Sequence, residues 1–140
     1  LDTKLSEYYP KIKNADSISI KQLLNHHSGI ANFTSNPAFP YMMYNETSQD
    51  ELLELFYAMQ PAFKPGDRGE YSNTNYLLIN KIMDNALGYG NFQFIQQSIL
   101  MPLNLTHTFA SLNEVDMEDV MSGYHVGHPF DLKAGIHTHK

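Results

Sequence analysis

Proline and glycine divide this 140-residue chain into short helical blocks, and strand-like alternation is scarce between them. The first 18 residues carry little helical rhythm. Ser17 or Ser19 then suits the N-cap of a short helix whose Ile20, Leu23 and Leu24 face inward. The phrase "HSG" (27 to 29) stops that helix, with Gly29 suited to a left-handed C-terminal residue. Residues 30 to 47 hold Pro37 and Pro40 and read as a loop anchored by Phe39, Tyr41 and Tyr44. Ser48 and Glu51 have capping-box spacing, and Leu52, Leu55, Phe56 and Met59 recur behind them at helical intervals. Pro61 and "KPGD" (64 to 67) end this block in a turn. A third helix is expected over residues 73 to 87, with Tyr76, Ile79, Ile82, Met83 and Ala86 on one face. Gly88 and Gly90 separate it from a fourth near 91 to 100, striped by Phe92, Ile95 and Ile99 and closed by Pro102. A weaker helix is expected over 113 to 122, and residues 123 to 140 are rich in Gly and His without periodicity.

This length fits one mainly α domain. A net charge of −6 with scattered Lys and Arg speaks against nucleic acid, since phosphate binding needs a clustered positive field. With no cysteine there is neither a disulfide framework nor a thiolate metal site. The apolar runs are too short to span a bilayer. The chain opens at Leu1 inside a patterned phrase, "LDTKLSEYYP", which reads as cut from a longer protein.

The stretch "GEYSNTNYLLINKIM" (69 to 83) changes character halfway. Its second half is an apolar-striped helix; its first half gathers Tyr71, Ser72, Asn73, Thr74 and Asn75. Ser, Thr and Asn suit a free helix N-terminus because their oxygens accept bonds from unpaired N–H groups. On that reading Tyr71 is a half-buried aromatic with its hydroxyl wet. The other reading is a reaction centre.

The neighbouring phrases favour the second reading. Taken with "SISIKQLLNHHSGI" (17 to 30), "FKPGDRGEYSNTNYLLINKIMDNALG" (63 to 88) and "ILMPLNLTHT" (99 to 108), the chain resembles the serine beta-lactamases of class C type. Their relatives, the D-alanyl-D-alanine carboxypeptidases and esterases, share that fold. The resemblance spans residues 1 to 124, and "LDTKLSEYYP" is similar to the segment after the family's nucleophile helix. His27 stands where the family usually has Thr, Asn104-Leu105 where Gly-Met is common, and Gly69-Glu70 is more polar than the usual pair. These departures bear on subfamily.

The resemblance implies an enzyme that cleaves amide or ester bonds by acylating a serine. Tyr71 would help move the serine or leaving-group proton. Asn73 would hold the catalytic lysine and the substrate's amide side chain, and Ser72 would shape the turn. A phenol titrates near 10, so carrying a proton at neutrality asks for roughly 4 kcal/mol of differential stabilisation. Lys64 and Arg68 are the cations nearest in sequence. The family's nucleophile lies in Ser-x-x-Lys. No serine in this chain is followed by lysine three residues later, and "HTH" (137 to 139) does not complete the family's third motif. The expected fold class is therefore the helical lobe of the beta-lactamase/transpeptidase-like fold, without most of its α/β lobe. Residues 1 to 124 would form the lobe, and 125 to 140 an irregular tail leading towards the missing part. The isolated chain is expected to be inactive.

Other readings carry less. His26-His27, His125 with His128, and His137 with His139 match no zinc signature, so no metal and no cofactor are expected. His26, within the family phrase, suits a packing or hydrogen-bonding role. Asn32-Phe33-Thr34, Asn45-Glu46-Thr47 and Asn104-Leu105-Thr106 fit the glycosylation pattern, which arises often by chance. The expected partners are a small-molecule or peptidoglycan-like substrate for the longer protein, in a periplasmic or extracytoplasmic setting, with no nucleic acid. Either a homodimer through the face left by the missing lobe or a chain with loose ends is also expected. A non-catalytic binding or scaffold module that retains the helical lobe is the alternative.

Overall fold

The computed structural model describes residues 1–45, 47–109, 115–116, 119–121, 123–125 and 128–130. The described residues form mainly helices: α1 (Ile20–Leu24), α2 (Phe39–Tyr44), α3 (Gln49–Ala58), α4 (Asn73–Leu87) and α5 (Asn91–Ile95), with one two-stranded sheet. No helix among them is long and apolar enough to cross a membrane. The chain divides into two units, Leu1–Phe39 with Gln49–Asn91, and Pro40–Ser48 with Phe92–Lys140.

The first unit holds the core. Its opening segment lacks helical rhythm because it is a chain of turns, yet five of its apolar residues go inward while Leu1 and Tyr8 stay exposed. Leu5 N–H donates to the Ile18 carbonyl at 2.8 Å and Ser6 N–H to that of Ala15 at 3.2 Å. The segment thus doubles back and buries Leu5, Tyr9, Ile12, Ala15 and Ile18. Burial, with Tyr57 and Asp84 nearby, pushes the Tyr9 phenol up from its ordinary value and keeps it neutral.

Of the two candidate caps for α1, Ser19 serves. Its hydroxyl accepts Gln22 N–H while the Gln22 side chain accepts Ser19 N–H at 2.8 Å, a complete capping box. Leu23 is fully buried, but Leu24 is turned outward rather than inward. The helix also ends before "HSG": Asn25 is its C-cap and His26 takes the left-handed conformation at φ 60. Gly29, at φ 74, has another task. Its carbonyl accepts Ala62 N–H at 2.8 Å, and its missing side chain leaves room for the Phe63 carbonyl.

The segment expected as a loop contains a 3-10 turn, Phe33–Ser35, and α2. Phe33 packs edge-on to Phe39, with centroids 5.5 Å apart, and against Phe56 of α3 at 5.7 Å. The anchor is therefore Phe33 with Phe39, whereas Tyr41 is exposed. Helix α3 begins directly after Ser48 and directs Phe56 into the core.

Helix α4 spans the expected residues, and Gly88 closes it at φ 76 with its N–H on the Asp84 carbonyl. Its buried face differs from the apolar stripe. Thr74, Asn75, Leu78, Ile79 and Ile82 are buried, while Tyr76 is 48% exposed and Ala86 is exposed. Two polar residues of the cluster hold the place assigned to Tyr76. The Asp84 carboxylate accepts both the backbone and side-chain N–H of Asn91 at 2.7 Å, where α5 begins.

In the second unit the expected fourth helix changes pitch. Residues 91 to 95 are α-helical and Gln96–Leu100 form a π turn. The wider turn shifts the register, so Leu100 is buried while Ile99 is 45% exposed. The tail is not irregular throughout. Gly123–His125 (β1) pairs antiparallel with His128–Phe130 (β2), placing His125 opposite His128 in register. The weaker helix over 113 to 122 falls mostly outside the described residues, and so do His137 and His139.

Candidate active site

The polar cluster at the start of α4 is sewn to residues 26 to 34 by side chains. Ser72 has the extended backbone of an N-cap (φ −142, ψ 119), but its hydroxyl does not cap. It donates instead to the Ala31 carbonyl at 3.2 Å. Thr74 Oγ1 donates to the same carbonyl at 2.8 Å and accepts Phe33 N–H at 3.0 Å. The cap comes from another segment: Asn32 Oδ1 accepts Asn73 N–H at 3.1 Å. The Ser72 hydroxyl, suited by type to a helix N-terminus, therefore does not cap it, and the reason is geometric. The adjoining loop brings a free carbonyl to Ser72 and an amide oxygen to the helix end.

The same Asn32 oxygen accepts the Asn73 side-chain amide at 3.3 Å, and Thr34 Oγ1 accepts it at 3.4 Å. With both amide hydrogens directed there, Asn73 Oδ1 points the other way and accepts the Tyr71 hydroxyl at 3.1 Å. Tyr71 is 64% exposed, so its oxygen is held on one side and open on the other. Behind it lies a fully satisfied layer. Ile30 N–H donates to Ser28 Oγ at 3.1 Å, and Ser28 Oγ donates to Asn75 Oδ1 at 2.7 Å. Asn75 Nδ2 meets His26 Nδ1 at 3.3 Å. Ser28, Ser72, Thr74 and Asn75 are all buried, and no described buried side-chain polar atom lacks a partner.

The structure thus brings Tyr71 and Asn73 into direct contact and puts Ser72 beneath them in a structural bond. Arg68 is committed elsewhere, to Glu70 at 3.0 Å and over the Phe63 ring at 4.2 Å. No group of three potential metal ligands occurs among the described residues. Asn75 stands within the polar cluster of the sequence and Ser28 within the phrase of residues 17 to 30, each without a partner named there, whereas Asn32 and Thr34 had no recognised part in this arrangement. Asn32 stands 41 residues from Asn73, and its only visible signal was an Asn-x-Thr triplet. Because one oxygen serves two helix-start donors and the Asn73 amide, Asn32→Ala is expected to cost about 1–2 kcal/mol. Urea denaturation measures this; a change below a few tenths would contradict the capping assignment.

The chain belongs to the beta-lactamase family: the Beta-lactamase family model matches residues 1–138. Among individual proteins, it is similar to a putative D-alanyl-D-alanine carboxypeptidase of Escherichia coli K12, at 28% identity, covering 76% of this chain and 27% of the relative. Protein flp of Staphylococcus aureus N315 is 32% identical over 132 residues, covering 89% of this chain and 26% of that protein. The chain therefore spans about a quarter of the length of the curated relatives it matches. Among solved structures, the D-amino acid amidase from Ochrobactrum anthropi SV3 superposes with a TM-score of 0.74 at 26% identity, over 96% of this chain and 42% of that one. A class C beta-lactamase superposes at 0.70 and 23% identity, over 94% and 35% respectively, a likeness of fold.

Proposed function

We propose that residues 1 to 124 are the helical lobe of a serine hydrolase that cleaves amide or ester bonds through an acyl-serine, with 125 to 140 leading towards an α/β lobe. Tyr71 moves the proton, Asn73 holds a lysine and the substrate's amide group, and Ser72 shapes the turn. One observation carries the reading: the exposed Tyr71 hydroxyl is aimed by Asn73, whose own amide hydrogens are fixed by Asn32 and Thr34. Such pre-orientation is what a proton-transfer group requires. The names of the similar proteins, an amidase and a carboxypeptidase, support amide substrates of small-molecule or peptide type.

The reading separates the wall from the nucleophile. No serine here has the Ser-x-x-Lys spacing, so a chain of these 140 residues has nothing to acylate. Incubation with a chromogenic beta-lactam and with activated esters, followed by intact-mass measurement, is expected to show no adduct. A stoichiometric acyl-enzyme on these residues would overturn the proposal.

A further inference from the structure

The ring of His26, expected from the sequence to pack or to hydrogen-bond, does both: it lies against Tyr71 and meets Ser72 and Asn75 through Nδ1. Its backbone is left-handed at φ 60, a conformation that most L-residues disfavour and in which Asn, Asp and His are enriched. That turn carries the ring between two phenols. Tyr71 lies 4.6 Å away, centroid to centroid, at 40°, and Tyr76 lies 5.2 Å away at 30°. Tyr76 is tied down on its far side by its hydroxyl, which donates to the Leu24 carbonyl at 3.3 Å.

The hydrogen bonds assign the ring's proton. Ser72 N–H points at His26 Nδ1 from 3.2 Å. A backbone amide can only donate, so Nδ1 can only accept. Asn75 agrees: its oxygen takes the Ser28 hydroxyl, which turns its Nδ2 hydrogens to the same lone pair. A hydrogen on Nδ1 would face two other N–H groups. The phenols of Tyr71 and Tyr76 lie against the ring; of the next titratable groups, His27 adjoins in sequence with its Nδ1 2.8 Å from the Asn25 carbonyl, and Glu70, whose N–H donates to the His26 carbonyl at 3.0 Å, has its carboxylate taken by Arg68.

We propose that His26 is a positioning residue for Tyr71, with Nδ1 as the acceptor and the ring hydrogen on Nε2. Its Nδ1 lone pair fixes the peptide that joins Tyr71 to Ser72, and its face fixes the phenol. The consequence for catalysis rests on the reading of Tyr71 as the proton carrier. The placement itself does not.

Nitrogen-detected NMR on the 140-residue chain at neutral pH is expected to show His26 as the Nε2–H tautomer, with Nδ1 unprotonated. His26→Asn places a carbonyl oxygen near Nδ1 and tolerates the left-handed backbone, whereas His26→Ala supplies no acceptor. Ser72 amide exchange should therefore stay near wild type in His26→Asn and rise about tenfold in His26→Ala, the factor that corresponds to one lost hydrogen bond. Tyr71 ring shifts should move toward those of free tyrosine in both. An Nδ1–H tautomer, or equal Ser72 exchange in the two variants, would overturn the proposal; if His26→Ala does not fold, the wild-type tautomer and His26→Asn still decide. None of these readouts involves turnover. Their failure would leave the acyl-serine reading standing, and failure of that reading would leave them unchanged.

Discussion

Gly29→Ala is expected to destabilise the chain by about 4 kcal/mol or more, enough to unfold much of it at room temperature. Two costs add. The backbone at φ 74 charges any L-side chain about 1–2 kcal/mol. A methyl group there would also drive into the Phe63 carbonyl oxygen, which is main chain and has no rotamer to change. The backbone cannot simply retreat, because Ala62 N–H is bonded to the Gly29 carbonyl at 2.8 Å and Gly66 N–H to that of His27 at 2.8 Å. Gly88 supplies the control. It has nearly the same dihedral, φ 76, but nothing within 4 Å of the added carbon. Gly88→Ala should therefore lose only the conformational part, about 1–2 kcal/mol. Urea midpoints with matched slopes would measure both variants. Equal losses would mean that the approach of residues 62 to 64 does not depend on Gly29.

That glycine shows where sequence reading succeeds and where it stops. A left-handed residue at position 29 was legible from Gly in a helix-ending phrase; the job it does was not, because the Phe63 carbonyl that needs the space is 34 residues away. Helix α4 was legible in both bounds, since polar residues precede its apolar run and Gly88 follows it. Its buried face was not. Periodicity weights apolar residues, so it placed Tyr76 inside and left Thr74 and Asn75 unassigned. Those two are buried because Ala31, Phe33, Ser28 and His26 supply every bond they need, and such partners leave no periodic trace. The same limit hid the π turn, where one extra residue per turn moved burial from Ile99 to Leu100. In the candidate site, Tyr71 and Asn73 were found by their motif, while Asn32 is visible only once the loop lies against the helix.

The second large effect is on the reaction. On the acyl-serine proposal, in a polypeptide that joins this chain to a family Ser-x-x-Lys segment and the rest of the α/β lobe, Tyr71→Phe is expected to lower kcat by about 10²–10⁴, the usual worth of a positioned proton-transfer group. The substitution keeps the ring against His26 and removes one oxygen, with its single described hydrogen bond to Asn73. At 64% exposure that bond contributes little to folding, so stability should change by less than about 1 kcal/mol. Asn73→Ala leaves the phenol in place but unaimed, and it also removes the side-chain bonds to Asn32 and Thr34. Because Asn73 is also proposed to hold the lysine and the substrate's amide group, its expected loss in kcat/KM is at least as large as that of Tyr71→Phe, with a rise in KM and a larger loss of stability. Acylation and deacylation rates measured in single turnover, beside urea denaturation of the same samples, distinguish the two patterns. If Tyr71→Phe turned over at the wild-type rate, the hydroxyl that Asn73 orients would have no part in moving the proton, and the exposed phenol would be a surface contact for substrate alone.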